Sequence, residues 1–135
     1  MAGVRDHTEL NVWKLCDQLR VVVRPILDRP RLQADRTLWS QIDRAVERPC
    51  PNIAEGFSRY FPRDFARFTQ IAKASLSELV DHMETAEAKG ITSAEETAAI
   101  VTLAKRARGA ATRLIQYLET AKTPRQHDGR KRRDK

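Results

Sequence analysis

Apolar residues recur three and four positions apart in four segments of this chain, which is the spacing of one face of an α-helix. The first segment runs from about Thr8, a candidate N-cap, to about Asp28. Its apolar positions form two neighbouring stripes, namely Val12, Leu15, Leu19, Val22 and Ile26, and then Trp13, Cys16, Val23 and Leu27. More than half of the circumference of this helix is therefore apolar, and this face is wider than one bundle core requires. The wide face either lies in a deep core or meets another subunit.

The second segment is interrupted by prolines. A polar connection over residues 29–36 leads to a helix that should begin near Thr37. Pro49 and Pro51 should break or bend this helix, unless the chain forms a new helical turn with a proline in first position. Gly56 then predicts a stop, followed by a loop.

The third and fourth segments have clear helix ends. The third helix should begin near Pro62, which is tolerated in a first turn, and end at Gly90. Ser93 and Glu96 have the spacing of a capping box, which predicts the start of the fourth helix. Pro124 should end it.

Four amphipathic helices with short connections predict an all-α fold, an antiparallel up-down-up-down four-helix bundle over residues 1–123. The composition agrees with an all-α fold, because 41% of the residues are hydrophobic and only 6% are aromatic. Such a core consists mainly of aliphatic residues and alanine, which suit helices. The net charge of +7 divides into +3 for this bundle and +4 for residues 124–135. That last segment has no hydrophobic residue beyond its proline, which predicts a disordered basic tail.

Several classes of protein are excluded. The longest strongly apolar run, Val21–Val23, is far shorter than a membrane span, and no signal peptide is visible, so a cytoplasmic protein without a membrane partner is expected. Cys16 and Cys50 form no CxxC pair and should be buried or idle thiols. No metal or other cofactor is expected, because the histidines are far apart in the sequence, at His7, His82 and His127.

No catalytic residue is predicted, and the chain is not expected to be an enzyme. It has no glycine-rich phosphate loop, no HExxH pair and no nucleophile with a suitably spaced base. The most conspicuous carboxylate is Glu55, in the run Asn52–Gly56. A structural role is favoured, in which Asn52 and Glu55 bind backbone or an arginine of a neighbouring helix and form a structural corner with Gly56.

Arginines cluster around the junction of the second and third helices, interleaved with the aromatic residues Phe57, Tyr60 and Phe61. The cluster comprises Arg44, Arg48, Arg59, Arg63 and Arg67. Arginine beside exposed aromatic rings suits phosphate contact and base stacking. Alternatively, the rings belong to the core, and the arginines pair with nearby acids, namely Asp43, Glu47, Glu55 and Asp64.

Two further basic segments are candidates for nucleic-acid binding. The fourth helix contains Lys105, Arg106, Arg108 and Arg113. These cations could instead pair, within or between subunits, with acids of the third helix, which are Glu78, Asp81, Glu84 and Glu87. The tail contains Arg130, Lys131, Arg132 and Arg133. Basic tails bind polyanions with strong salt dependence and no sequence preference.

Several motifs together resemble the four helix bundle protein family. They are Leu10–Trp13, Gln41 with Arg44–Ala45, Asn52–Gly56, Phe65 with Phe68, and Ile71–Leu76 with Glu78–Leu79. Members of that family include proteins encoded in intervening sequences of bacterial 23S rRNA genes. The accessory variability determinant, Avd, of diversity-generating retroelements is similar. The resemblance implies a ring-like homopentamer with a basic surface and, for the Avd branch, an accessory protein that binds a reverse transcriptase and its RNA.

The leading hypothesis is a non-enzymatic, homo-oligomeric bundle, pentameric by the resemblance, that binds RNA or DNA electrostatically, with a reverse transcriptase as a further partner. The alternative is an interaction scaffold that binds an acidic protein without nucleic acid. The two hypotheses differ in whether nucleic acid is retained and in whether binding depends on salt.

Overall fold

The computed structural model describes residues 3–121, in which the chain forms six α-helices, one short 3-10 turn and no strand. The turn spans His7–Glu9. The helices are α1 (Asn11–Leu27), α2 (Pro30–Ala34), α3 (Arg36–Glu47), α4 (Pro49–Phe57), α5 (Pro62–Ala88) and α6 (Ala94–Thr120). No helix in this part of the chain is both long enough and apolar enough to cross a membrane.

Four walls surround the core. They are α1, the consecutive pair α3 and α4, α5, and α6. The α1 wall packs against α6 and against the α3–α4 pair, and α5 packs against the same two neighbours. The helix count and these contacts fit a bundle.

Contacts between helix ends show how the walls meet. The Trp39 Nε1 donates a hydrogen bond to the Leu27 carbonyl at 2.8 Å, which joins α3 to the end of α1. The Arg29 Nη1 donates to the Ile91 carbonyl at 2.9 Å, just before α6 begins. The end of α1 therefore lies beside the starts of both α3 and α6.

The wide apolar face of α1 lies mostly in the core. Residues of both predicted stripes are buried, among them Leu19 and Val23. The deep-core interpretation accounts for this face. Val22 is an exception, because 42% of its surface is exposed, and the adjacent Val21 is 68% exposed. The assignment of Val22 to the buried stripe was therefore wrong.

The start of α1 and the connection after it differ from the prediction. Thr8 is not the N-cap of α1, because the Asp6 carboxylate accepts the Thr8 N–H at 3.0 Å and caps the separate 3-10 turn. The helix itself begins three residues later, at Asn11. The predicted connection over residues 29–36 contains α2, since Pro30 stands at a helix start, where its missing N–H has no intrahelical partner to lose.

The two prolines separate α3 from α4. The α3 helix ends at Glu47 and α4 begins with Pro49, so the predicted new turn with proline in first position is confirmed. The prediction that Gly56 ends the helix was wrong, because α4 continues to Phe57. Gly56 lies buried inside α4, and a Cβ atom there would stand 2.7 Å from Phe65 Cδ1 and 2.9 Å from Phe68 Cβ. The glycine therefore permits close approach of α4 to α5.

Both ends of α5 and the start of α6 agree with the sequence prediction. Gly90 has φ of +73°, its N–H bonds the Glu87 carbonyl, and the Ile91 N–H bonds the Ala86 carbonyl, as in a Schellman motif. Ser93 and Glu96 form the capping box. The α6 helix ends at Thr120, whereas Pro124 and the predicted tail over residues 124–135 lie outside the described residues.

Candidate nucleic-acid interface

The predicted structural corner is held by contacts within its own segment. The Asn52 Nδ2 donates to the Arg48 carbonyl at 3.0 Å. The Arg59 Nε donates to Glu55 Oε2 at 3.0 Å, so the carboxylate holds an arginine four residues later and not one from a neighbouring helix. Gly56 contributes the close approach described above. These contacts support a structural role for this corner, which stays a prediction.

Two arginines flank one aromatic ring at the start of α5. The guanidinium carbon of Arg59 lies 4.8 Å from the centroid of Phe68, and that of Arg67 lies 5.3 Å from it. These distances are within the range of cation–π attraction. The ring restrains the orientation of both guanidinium groups and does not neutralise their charge.

A cleft of about 730 Å³ opens where the start of α5 meets the end of α6. We call it the α5–α6 cleft, and it is lined by Phe61, Pro62, Arg63, Ala66, Arg67, Gln70, Leu118, Glu119 and Ala121. Phe61, the N-cap of α5, is 47% exposed. Its ring packs edge-to-face against the ring of Tyr60, with the two ring centroids 5.1 Å apart and an interplanar angle of 77°. Phe57, by contrast, is buried, so the core interpretation is correct for that ring and wrong for Phe61.

Most of the candidate cations within residues 3–121 have no carboxylate partner in that part of the chain. Asp43 and Glu47 pair instead with arginines of α1, since Arg24 lies 3.7 Å from the first and 3.3 Å from the second. Among the candidates within residues 3–121, only Arg59 forms an ion pair. Those without one in this part of the chain are Arg44, Arg48, Arg63, Arg67, Lys105, Arg106, Arg108 and Arg113. The alternative interpretation, in which nearby acids neutralise these arginines, therefore holds for Arg59 and not for the rest of the cluster within residues 3–121.

The basic stretch of α6 divides between two sides of the helix. A shallow groove of about 470 Å³ between α1 and α6, here the α1–α6 groove, is lined by Asn11, Leu15, Thr102, Lys105, Arg106, Gly109 and Arg113. The Arg108 Nη1 instead donates to Ser77 Oγ of α5 at 3.3 Å. No acid of α5 pairs with these cations in the described chain, so the alternative of pairing within one subunit does not hold there.

The predicted arginine cluster is only partly assembled. Arg63 and Arg67 line one cleft, and Arg67 shares the Phe68 ring with Arg59. Arg44, on α3, and Arg48, before α4, are exposed, and no side-chain contact within residues 3–121 joins either to the cleft. The four tail cations at positions 130–133 lie outside the described residues.

Comparison with known families places this geometry in context. A family model for the 23S rRNA-intervening sequence protein matches residues 8–121. The chain belongs to this family. The match includes all four walls, the α5–α6 cleft and the α1–α6 groove. No curated protein matches the chain.

Part of the α5–α6 cleft of this family member was not predicted from the sequence. Gln70, Leu118 and Glu119 were not candidates, although they complete the lining beside Arg63 and Arg67. A usable signal was present, because an up-down-up-down bundle would place the end of the fourth helix beside the start of the third. Position on the helix circumference was needed as well, and the stripe pattern alone does not fix it for exposed residues.

The two cysteines of this family member are poor nucleophiles. Both are buried. Burial raises the pKa of Cys16 to about 12, with a smaller contribution from the neighbouring Cys50, whose own pKa burial raises to about 11. Thiolate is the reactive form, so both side chains are unreactive near neutral pH. Within residues 3–121, no group of three His, Cys, Asp or Glu side chains is placed to hold a metal ion.

Proposed function

We propose that this chain is a non-enzymatic, homo-oligomeric helical bundle that binds RNA or DNA by electrostatic contacts with the phosphate backbone. The observation that carries the proposal is the set of arginine and lysine side chains without a carboxylate partner in the described chain. Arg63 and Arg67 lie in the α5–α6 cleft, and Lys105, Arg106 and Arg113 line the α1–α6 groove. An exposed cation that is not neutralised by a neighbouring acid remains available to a phosphate oxygen.

Local charge supports this function better than net charge does. Residues 1–123 carry only +3 in total. Several acids of the described chain are held by cations that have structural positions, such as Asp35 by Lys89 and Glu96 by Arg29. Because those acids are engaged elsewhere, the cations of the cleft and of the groove form locally positive surfaces.

The basic tail adds to this proposal through its sequence. Residues 124–135 carry +4 and follow shortly after Ala121, which borders the α5–α6 cleft. Cations tethered near a binding surface add phosphate contacts without reading bases. Removal of residues 124–135 should therefore lower affinity for nucleic acid more than it lowers selectivity.

The test is the salt dependence of binding to a labelled RNA oligonucleotide, measured by fluorescence anisotropy. Each phosphate contact contributes a slope of roughly 0.7 to 0.9 to the logarithmic plot of affinity against salt. Arg63→Gln should lower the slope by about that amount. Arg36→Gln is a matched control, because Arg36 is exposed and unpaired within residues 3–121 and lies outside both binding surfaces.

Absence of binding, or binding that salt does not weaken, would overturn the proposal. Equal effects of the two substitutions would show that only net charge matters and would remove the assigned surfaces. Recovery of an acidic protein after nuclease treatment, with no nucleic acid retained, would favour the interaction scaffold.

The assembly is part of the proposal. The contacts between helix ends support an antiparallel up-down-up-down order within the protomer. The exposed valines at positions 21 and 22 support a homo-oligomer, because adjacent exposed apolar side chains favour burial against a second copy. The resemblance to the Avd group supports a pentameric ring and a reverse transcriptase partner. Light scattering should give about five times the chain mass of 15.4 kDa, and a monomeric mass would contradict this assembly.

A further inference from the structure

We infer that the α5–α6 cleft receives an unpaired base of single-stranded RNA or DNA, stacked on Phe61, while Arg63 and Arg67 contact the adjoining phosphates. This inference rests on the proposed function and deepens it, because it commits to the strand state of the nucleic acid. It depends on the exposed ring, the orientation of the arginines and the chemistry of the cleft lining.

Phe61 differs from the other phenylalanines of the chain in its exposure. Phe57 and Phe65 are buried, and Phe68 is half-buried with two guanidinium groups near its ring. Phe61 is 47% exposed and lies at the mouth of a cleft. The edge-to-face contact with Tyr60 restricts its orientation. A restrained ring with open surface is a platform for a nucleobase, since every base offers a π-face.

The two arginines are arranged on the same side of α5. Arg63 and Arg67 are four residues apart, so they are neighbours on consecutive turns of the helix. Arg67 also lies over the Phe68 ring, which restrains the side chain without neutralising it. Two cations beside one aromatic ring can hold the backbone on either side of a stacked nucleotide.

The rest of the lining suits a base better than a phosphate. The volume of about 730 Å³ is within the range of roughly 300–1,000 Å³ that is usual for small-molecule sites. The apolar part of the lining includes the buried Ala66 and Leu118 beside the exposed Phe61 ring, and Gln70 and Glu119 supply an amide and a carboxylate. The carboxylate repels phosphate but accepts hydrogen bonds from the N–H groups of a base edge. The bases of a duplex are already stacked and paired, so they cannot enter the cleft.

The experiment compares a short single-stranded RNA with a duplex of the same sequence, using the full chain. Phe61→Ala should lower affinity for the single strand at least about fivefold while leaving affinity for the duplex unchanged. Phe61→Trp should keep single-strand affinity, and its added fluorescence should be quenched on binding the single strand and not the duplex. Ile71→Ala is the control, because Ile71 is an exposed apolar residue of α5 outside the cleft.

The outcomes separate this inference from the proposed function. If the wild-type chain binds both nucleic acids and Phe61→Ala weakens neither, or weakens both equally, stacking on Phe61 is wrong and electrostatic binding stands. An unquenched Phe61→Trp protein that still binds the single strand would also overturn the inference, even if the alanine variant does not fold. If the wild-type chain binds neither, the proposed function fails as well.

Discussion

Replacing Gly56 with alanine should destabilise the protein, although glycine-to-alanine substitution inside a helix is usually stabilising. The usual gain is about 0.5–1 kcal/mol, because alanine loses less backbone entropy than glycine when the helix forms. At this position a new Cβ would stand 2.7 Å from the Phe65 ring, 2.9 Å from Phe68 Cβ and 3.3 Å from the Phe65 carbonyl oxygen. Contacts under 3.0 Å require the neighbours to move.

The magnitude depends on which neighbours can move. Phe65 is fully buried and packs edge-on against Phe57 with the ring centroids 6.0 Å apart, so its ring can move only by displacing other core side chains. Overpacking of a well-filled core costs about 1–3 kcal/mol. When the helix-propensity gain is subtracted from the middle of this range, Gly56→Ala should lower the free energy of unfolding by roughly 1–1.5 kcal/mol.

Gly109→Ala supplies a control of opposite sign. The nearest atom to its new Cβ would be Arg113 Nη1 at 3.4 Å, the far end of a flexible side chain. This variant of α6 should gain about 0.5–1 kcal/mol. Urea unfolding followed by circular dichroism, at one protein concentration because assembly affects apparent stability, measures both changes. If Gly56→Ala is as stable as the wild-type chain, the close packing of α4 on α5 is not as described.

Three further predictions concern pH, thiol chemistry and assembly. Hydrogen bonds from Arg29 lower the pKa of Glu96 to about 2, so the ionised carboxylate stabilises the fold fully above pH 4.5, and this stabilisation is lost as the pH falls towards 2. Glu96→Gln should lower the free energy of unfolding by about 1 kcal/mol at pH 7, and its difference from the wild-type chain in urea unfolding should vanish near pH 2. Cys16 and Cys50 should react with a thiol reagent only as fast as the chain opens, and rapid labelling of the native protein would contradict their burial. Val21→Asp should lower the mass seen in light scattering, whereas an unchanged mass would place the subunit interface elsewhere.

Local chemistry made some elements predictable from sequence alone. Gly90 ends a helix and Ser93 begins one because each supplies a backbone conformation or a hydrogen bond within its own turn. Gly56 could not be interpreted in this way, because its role depends on the ring of Phe65 from another helix. The exposure of Phe61 was beyond prediction for the same reason, since it depends on the gap between α5 and α6.

The ion pairs show a related limit of sequence reasoning. One of the two interpretations from sequence paired Asp43 and Glu47 with arginines close to them in the sequence, yet Arg24, about twenty residues earlier, contacts both. Such pairing depends on how α1 and α3 are rotated about their axes. Spacing along one helix constrains its own neighbours, and it does not fix which side of an adjacent helix they meet.

Stability and binding should respond differently to salt because they depend on different side chains. The core contains large fully buried residues such as Leu76, Leu79 and Met83, and their burial does not depend on ionic strength. The structural ion pairs are partly exposed, so each contributes little to stability, and screening by salt removes no more than that small contribution. If Arg63 and Arg67 contact phosphate as proposed, salt should weaken that binding steeply, because binding releases counterions. A salt titration should therefore release nucleic acid from a bundle that remains folded, whereas unfolding over the same range would mean that the charge pairs stabilise the fold.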